Sequence, residues 1–344
     1  MWYETLFFMG WEKRAKAYAS TAERVLDSKW TALALVFIVL IIAFGVRITP
    51  MHLPVTDNWA EQTIRNNIVS QAEAQVRQQF PHLPQAQVQQ QALREYESFI
   101  EQNREQFQAQ QEQLSQQFRS QLQFEVERPD GTVFYQTYLG EIDPYFYLKR
   151  VERVLETGSQ CSSIVDGECR DDFMLAPRGS TFEPEWHTYA ASGFAWIAVA
   201  LGYVALTGVF FMPAILGALA TVPVFFFVRR RFGSLAAASS AIFVGLHTSF
   251  LPRTMAGFSS TDAWNILFPV TIIWLVSLAL EQQRRGLSWL YLVLAAVASA
   301  AYAQFWSAWW YTFFIMTLAL LAVGVYKGAS WIGVSNALLV AEAR

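Results

Sequence analysis

The sequence predicts an all-α polytopic membrane protein, a multi-span helical bundle with one large external loop after its first span. Three observations predict it. Of 344 residues, 53% are hydrophobic, 15% aromatic and only 15% charged, with 27 Phe and 13 Trp, a surplus that no soluble core needs. An uninterrupted run, "WTALALVFIVLIIAFGVRI", fills residues 30–48, enough to cross roughly 30 Å of hydrocarbon at about 1.5 Å per residue. Beyond residue 185, six more apolar stretches follow, divided by short polar connections and two arginine clusters. The net charge is −3 with no basic footprint, which sets nucleic acid aside as a partner.

Residues 1–29 carry Lys13, Arg14 and Lys16 ahead of the first span. A cleaved signal peptide would have a shorter apolar core nearer Met1, so 30–48 is expected to be an uncleaved anchor with 1–29 cytoplasmic. Residues 49–188 then form the large external loop. In its Gln-rich part, 60–123, Ile64, Ile68, Ala72, Val76 and Phe80 recur every fourth position until "PHLP" breaks the helix. Leu93, Ile100, Phe107 and Leu114 then recur every seventh, with Tyr96 and Phe118 nearby, a stripe suited to an antiparallel helical hairpin. Disorder from Gln enrichment is the competing reading. "FEVERPDGTVFYQ" places a Pro-Asp-Gly turn between β-prone runs. Cys161 and Cys169 lie close enough to close a short loop, as a disulfide if outside the cell and as free thiols if cytosolic.

The later stretches are 189–206, 207–228, 234–251, 264–280, 288–304 and 306–326. Arg229, Arg230 and Arg231, then Arg284 and Arg285, and finally Lys327 should all be cytoplasmic. From an outside loop, 207–228 delivers its arginines inside only if 189–206 does not cross. "YAASGFAWIAVALGYVAL" is therefore expected to be an interfacial helix, with crossing as its alternative, and 189–327 to hold it plus about five transmembrane helices. Two polar segments then share the outer face: "GEIDPYFYLKRVER" at 140–153 and "LPRTMAGFSSTDAWN" at 251–265. Ionisable groups beside lipid are costly and usually functional. Asp143 and Asp262 are oxygen ligands of the kind a hard divalent cation takes. Each also suits the start of a helix, Asp143 ahead of Pro144 and Asp262 ahead of a membrane span.

The order of a single anchor, a long loop with "IDPYFYLKRVE", the "MPAILGALATVPVFFFVRRRFG" span and the "RTMAGFSSTDAWN" loop resembles the catalytic subunit of oligosaccharyltransferase, especially its archaeal, AglB-like form. The resemblance covers all but the Gln-rich hairpin. It implies a bundle of the polyprenyl-phosphate glycosyltransferase type. Such an enzyme transfers an oligosaccharide from a dolichyl or polyprenyl (pyro)phosphate carrier to Asn of an Asn-X-Ser/Thr sequon. It implies Mn²⁺ or Mg²⁺ as cofactor and a multi-pass protein of the cell membrane with its catalytic cavity on the non-cytoplasmic face. The implied partners are a lipid-linked oligosaccharide, an acceptor protein and membrane lipid.

By position, Asp143 matches the catalytic and metal-contacting acid of the first motif, and Glu141 its leading acid. Asp262 matches the second acid of the second motif, whereas Ser260 stands where a metal-binding carboxylate is expected. The implied metal set is thus Asp143, Asp262 and Ser260. Arg253 is implied as a catalytic group that also binds the carrier phosphates, as a guanidinium fork suits phosphate oxygens. The family's later acidic loop and Trp-Trp-Asp domain have no counterpart before Arg344. Residues 328–344 are accordingly expected to begin a continuation, from a fragment, a split protein or a truncated gene. "AQFWSAWWYTF" lacks the Asp and suits an interfacial aromatic belt. Another polyprenyl-phosphate-dependent glycosyltransferase remains the alternative. A transporter would want ionisable residues within its spans, and here only His247 qualifies, near an end.

Overall fold

The computed structural model describes residues 28–325 apart from 129, 320 and 323. Residues 1–27 of the expected cytoplasmic stretch 1–29, and the expected continuation 328–344, lie outside the described residues. The first span is α1, Lys29–Arg47, whose N-cap Ser28 accepts a hydrogen bond from the Thr31 main-chain N–H. The Gln-rich region holds three helices where two were expected: α2 (Val55–Gln79), α3 (Gln85–Gln102) and α4 (Arg104–Leu122). The break falls at Asn103, which leaves helical geometry at φ −123° and ψ 34°. Both halves of the broken helix still pack on α2. Ile64, Tyr96 and Phe107 are buried together, and Ser115 and Arg119 of α4 bond Thr56 and Asp57 of α2.

Two small sheets qualify the all-α expectation. β1 (Gln123–Glu127) pairs antiparallel with β2 (Val133–Thr137) around the Pro-Asp-Gly turn. β3 (Ser163–Val165), β4 (Glu168–Asp171) and β5 (Ser180–Thr181) form the second sheet, and its first hairpin is bridged by the Cys161–Cys169 disulfide, with Cα atoms 5.1 Å apart. These segments lie in the large loop, where hairpins and side chains satisfy the backbone groups that a spanning segment must satisfy within one helix. Between the sheets runs α5, Ile142–Thr157, ended by Gly158 in the left-handed region at φ 76°.

The remaining helices are α6 (Trp186–Ala200), α7 (Ala205–Leu219), α8 (Thr221–Gly245), α9 (Trp264–Glu281), α10 (Arg285–Phe305) and α11 (Trp310–Ala319). Among the described residues, four helical stretches are long and apolar enough to cross a membrane: Lys29–Arg47, Ala205–Gly245, Thr261–Glu281 and Arg285–Phe305. The second of these is folded back on itself. Gly233 sits at φ 81° and ψ 173°, a geometry that only glycine adopts readily. Gly245 returns to lie against Thr221 and Ala43. The return limb therefore ends at Gly245, not at 251 as the hydropathy pattern predicts, and residues beyond it turn toward the second polar segment.

Packing follows small residues, as it must where lipid supplies little hydrophobic drive between helices. Ala32 and Val39 of α1 meet Phe225, Ala237, Ala238 and Ala241 of α8 in one buried cluster. At one end of the bundle Arg230 and Arg231 both pair with Glu281, the former at 2.6 Å, beside Arg284 and Arg285. At the other end, the larger core joins Val209, Met212 and Leu216 of α7 to Leu148 and Val151 of α5, Ala191 and Ala195 of α6, and Trp264 of α9.

Candidate functional site

Asp143 lies in the first turn of α5, where the helix dipole favours an anion. Pro144 beside it is buried and suits the fixed φ of a helix start. The Glu141 side chain makes no capping bond. Asp143 is exposed and forms no hydrogen bond or ion pair among the described residues, so its carboxylate is open to a ligand. One turn later Tyr147 feels it. The Tyr147 phenol is pushed up to about 12 by burial first, then by the charges of Glu185 and Asp143.

The second segment runs from the return limb to α9. Ser260 Oγ accepts from the Asp262 main-chain N–H at 3.3 Å and donates to Asp262 Oδ2 at 2.9 Å. The same carboxylate oxygen lies 3.8 Å from Arg253 Nη1. Arg253 is 66% exposed and Asp262 37%, so this ion pair is solvent-screened and adds little stability. The guanidinium stays free to turn toward another anion.

Backbone bonds bring the two segments side by side. The Gly140 N–H donates to Gly257 O at 3.0 Å, the Gly257 N–H to Phe210 O at 2.8 Å, and the Ala256 N–H to Arg47 O at 2.8 Å. Gly257 adopts φ +90°, so glycine is needed there. At Gly140 the reason is space, because a Cβ would stand 2.6 Å from the Phe258 ring.

Two residues that the sequence did not single out hold this frame. Arg47 is fully buried; its guanidinium donates to Thr254 Oγ1 at 2.9 Å, Ala43 O at 2.9 Å and Gly245 O at 2.7 Å. One of these acceptors, Gly245 O, is a carbonyl in the last turn of α8, which carries partial negative charge. Gly217 makes room for it, since a Cβ there would lie 2.4 Å from Arg47 Nε. His187 of α6 is also fully buried. Its Nδ1 accepts from Trp264 Nε1–H at 3.0 Å, which places the proton on Nε2, and Tyr147 meets the ring edge-on at 4.4 Å. Burial pushes His187 down to about 3. One imidazole thus touches the helix that carries Asp143 and the helix that follows Asp262. A histidine in an apolar helix was the signal available in the sequence. For Arg47 it was an arginine closing an apolar span.

Arg253, Ser260 and Asp262 therefore form one constellation, and Asp143 stands on the adjoining segment without bonding to them. Among the described residues no three His, Cys, Asp or Glu side chains converge as a metal cage would require. The donors present are all oxygens, which suits a hard divalent cation held by two carboxylates with water or phosphate in the other positions. The Ser260 hydroxyl, already donating to Asp262, is the poor member of the set.

Comparison with known proteins bears on the same region. The family described as "Oligosaccharyl transferase STT3, N-terminal" matches residues 132–331. A dolichyl-phosphooligosaccharide-protein glycotransferase of Methanococcus voltae is 32% identical over 203 residues, covering 56% of this chain and 22% of that protein. Its namesake from Methanocaldococcus jannaschii is 29% identical over 157 residues, covering 43% and 17%. The chain thus spans less than a quarter of the length of these curated relatives. A solved oligosaccharyltransferase of Archaeoglobus fulgidus, in complex with Zn and sulfate, is similar over 52% of this chain and 23% of that one, with 24% identity and a TM-score of 0.45.

Proposed function

Because the chain belongs to the oligosaccharyl transferase STT3 family, which its residues 132–331 match, we propose that it forms the first membrane portion of an oligosaccharyltransferase. In this reading the enzyme transfers an oligosaccharide from a dolichyl or polyprenyl phosphate carrier to Asn of an Asn-X-Ser/Thr sequon on a protein. The observation that carries the site is the Gly140–Gly257 main-chain bond, which seats the Asp143 and Asp262 segments against one another on one end of the bundle. We read that end as the non-cytoplasmic one, and the gathering of Arg230, Arg231, Arg284 and Arg285 at the opposite end supports this. The Cys161–Cys169 disulfide supports the same orientation, since disulfides persist in oxidising compartments.

An amide nitrogen is a weak nucleophile because its lone pair is delocalised into the carbonyl. Asp143, exposed and unpartnered, accepts the acceptor amide N–H, orienting the nitrogen and loosening that conjugation. Arg253, held only by a screened pair, donates to the carrier phosphate as negative charge grows on the leaving oxygen. Asp143 and Asp262 would hold Mn²⁺ or Mg²⁺, which when bound supplies Lewis-acid stabilisation of that charge.

The test is Mn²⁺ titration of the chain in nanodiscs. Ser260→Asp adds a carboxylate and should tighten binding by about tenfold, while Asp143→Asn should weaken it by a similar factor. Unchanged affinity in both variants would mean that the two segments share no cation, and that both aspartates serve only as helix starts.

A further inference from the structure

A cavity of about 670 Å³ opens between α1, the α6–α7 pair and the β1–β2 hairpin, apart from the aspartates of the candidate site. Its floor is apolar, formed by Phe44, Ile48, Phe211 and Ile215, and Arg128, Gln136 and Thr207 add polar groups to its lining. Thr207 Oγ1 donates to Gln136 Oε1 at 2.7 Å, and Gln136 Nε2 donates to Thr137 O at 2.9 Å. The neutral polar groups are thereby satisfied among themselves. Arg128 is not. Its Nε is buried without an acceptor, and it forms no ion pair among the described residues. Asp130 lies close enough to feel its charge, but Thr132 already bonds that carboxylate through both its main-chain N–H and its hydroxyl. What fixes the guanidinium is aromatic stacking, 4.0 Å from the Tyr203 ring centroid and 5.2 Å from that of Phe134.

The floor does not end in the cavity. A second, smaller hollow of about 260 Å³ shares Phe44 and Ile215 and continues along the α1–α7 seam past Leu40, Ile41, Ala218 and Leu219. From Ile48 back to Leu40 the track is about 12 Å long at 1.5 Å per residue. It runs on two helices apolar enough to span a membrane. A fixed, unpaired cation at the polar end of an apolar track matches one class of ligand, a phosphate head group carrying a hydrocarbon chain.

We propose that this groove binds an anionic bilayer lipid, with its phosphate on Arg128 and one chain against Phe44 and Ile215. The site is separate from the acceptor and carrier chemistry and does not depend on the transferase reading. Because a phosphate on an apolar chain is also the chemistry of a polyprenyl phosphate, the experiment includes that competitor.

The full chain in detergent is exchanged with phosphatidylglycerol or phosphatidylcholine, and retained lipid is followed by native mass spectrometry. Phosphatidylglycerol should be retained about tenfold more strongly, because phosphatidylcholine offers the same phosphate but its choline ammonium cancels the headgroup charge and repels the Arg128 guanidinium. Arg128→Gln should abolish that preference while leaving far-UV circular dichroism unchanged. Ile215→Trp should fill the track and lower retention of both lipids. Equal retention of the two lipids by the wild-type chain would overturn the proposal, as would retention that neither variant alters. Displacement of the lipid by glycerol 3-phosphate, or by polyprenyl phosphate at equal amounts, would overturn it as well, the first marking a bare anion site and the second a carrier site.

Discussion

Arg47 makes a sharp residue-scale prediction because it is a buried guanidinium compensated by carbonyls and one hydroxyl, without a carboxylate among the described residues. Arg47→Met leaves Gly245 O and Thr254 Oγ1 without that donor in a buried site, and should destabilise the fold by roughly 3 kcal/mol. Thermal unfolding in detergent measures this, and Gly217→Ala should reproduce part of the loss by displacing the same side chain. His187 makes a second prediction with a definite sign. Its folded pKa, lowered from 6.5 to about 3, means that the unfolded chain binds a proton before the folded one does. Its stability contribution is therefore complete above about pH 6.5 and is lost as the pH falls toward 3. His187→Leu should flatten the stability profile between about pH 6.5 and 5, above the range in which ordinary carboxylates titrate.

At the scale of elements, the two acid-bearing segments depend on one point of closest approach. Gly140→Ala would drive a methyl into the Phe258 ring, moving the start of α5 away from the 256–258 backbone. Mn²⁺ affinity should drop by about tenfold or more, although both aspartates remain; an unchanged titration would show that the spacing of the segments does not matter to the site. The break in the Gln-rich helix also belongs to this scale. A seven-residue repeat of Leu93, Ile100, Phe107 and Leu114 reads as one continuous helix, yet only Phe107 of the four is buried, while Leu93 is 37% exposed. An apolar period reports which residues favour a partner face. It does not report where a chain of Asn and Gln will let the helix axis bend, and here it bends at Asn103.

For the whole molecule, the proposed topology makes orientation measurable. A single cysteine at Gln110, exposed on α4, should react with an impermeant thiol reagent added outside intact cells. One at Gln283, exposed at the arginine end, should react only after permeabilisation. The reverse pattern would invert the bundle and place the Asp143 segment in the cytoplasm. Ser259 would be a poor labelling position, because it is fully buried. The amino-acid sequence alone marked the apolar stretches, the arginine clusters at one set of their ends, the helix that begins near Asp143 and the short loop closed by Cys161 and Cys169. These are local or additive properties of neighbouring residues, so the order of residues suffices to reveal them. Tertiary structure alone decided that Gly245 returns to Thr221, that Arg47 finds its acceptors on three separate segments, and that His187 lies between Tyr147 and Trp264. Each of these joins residues far apart in the chain, through shape and hydrogen-bond direction that no one-dimensional pattern encodes.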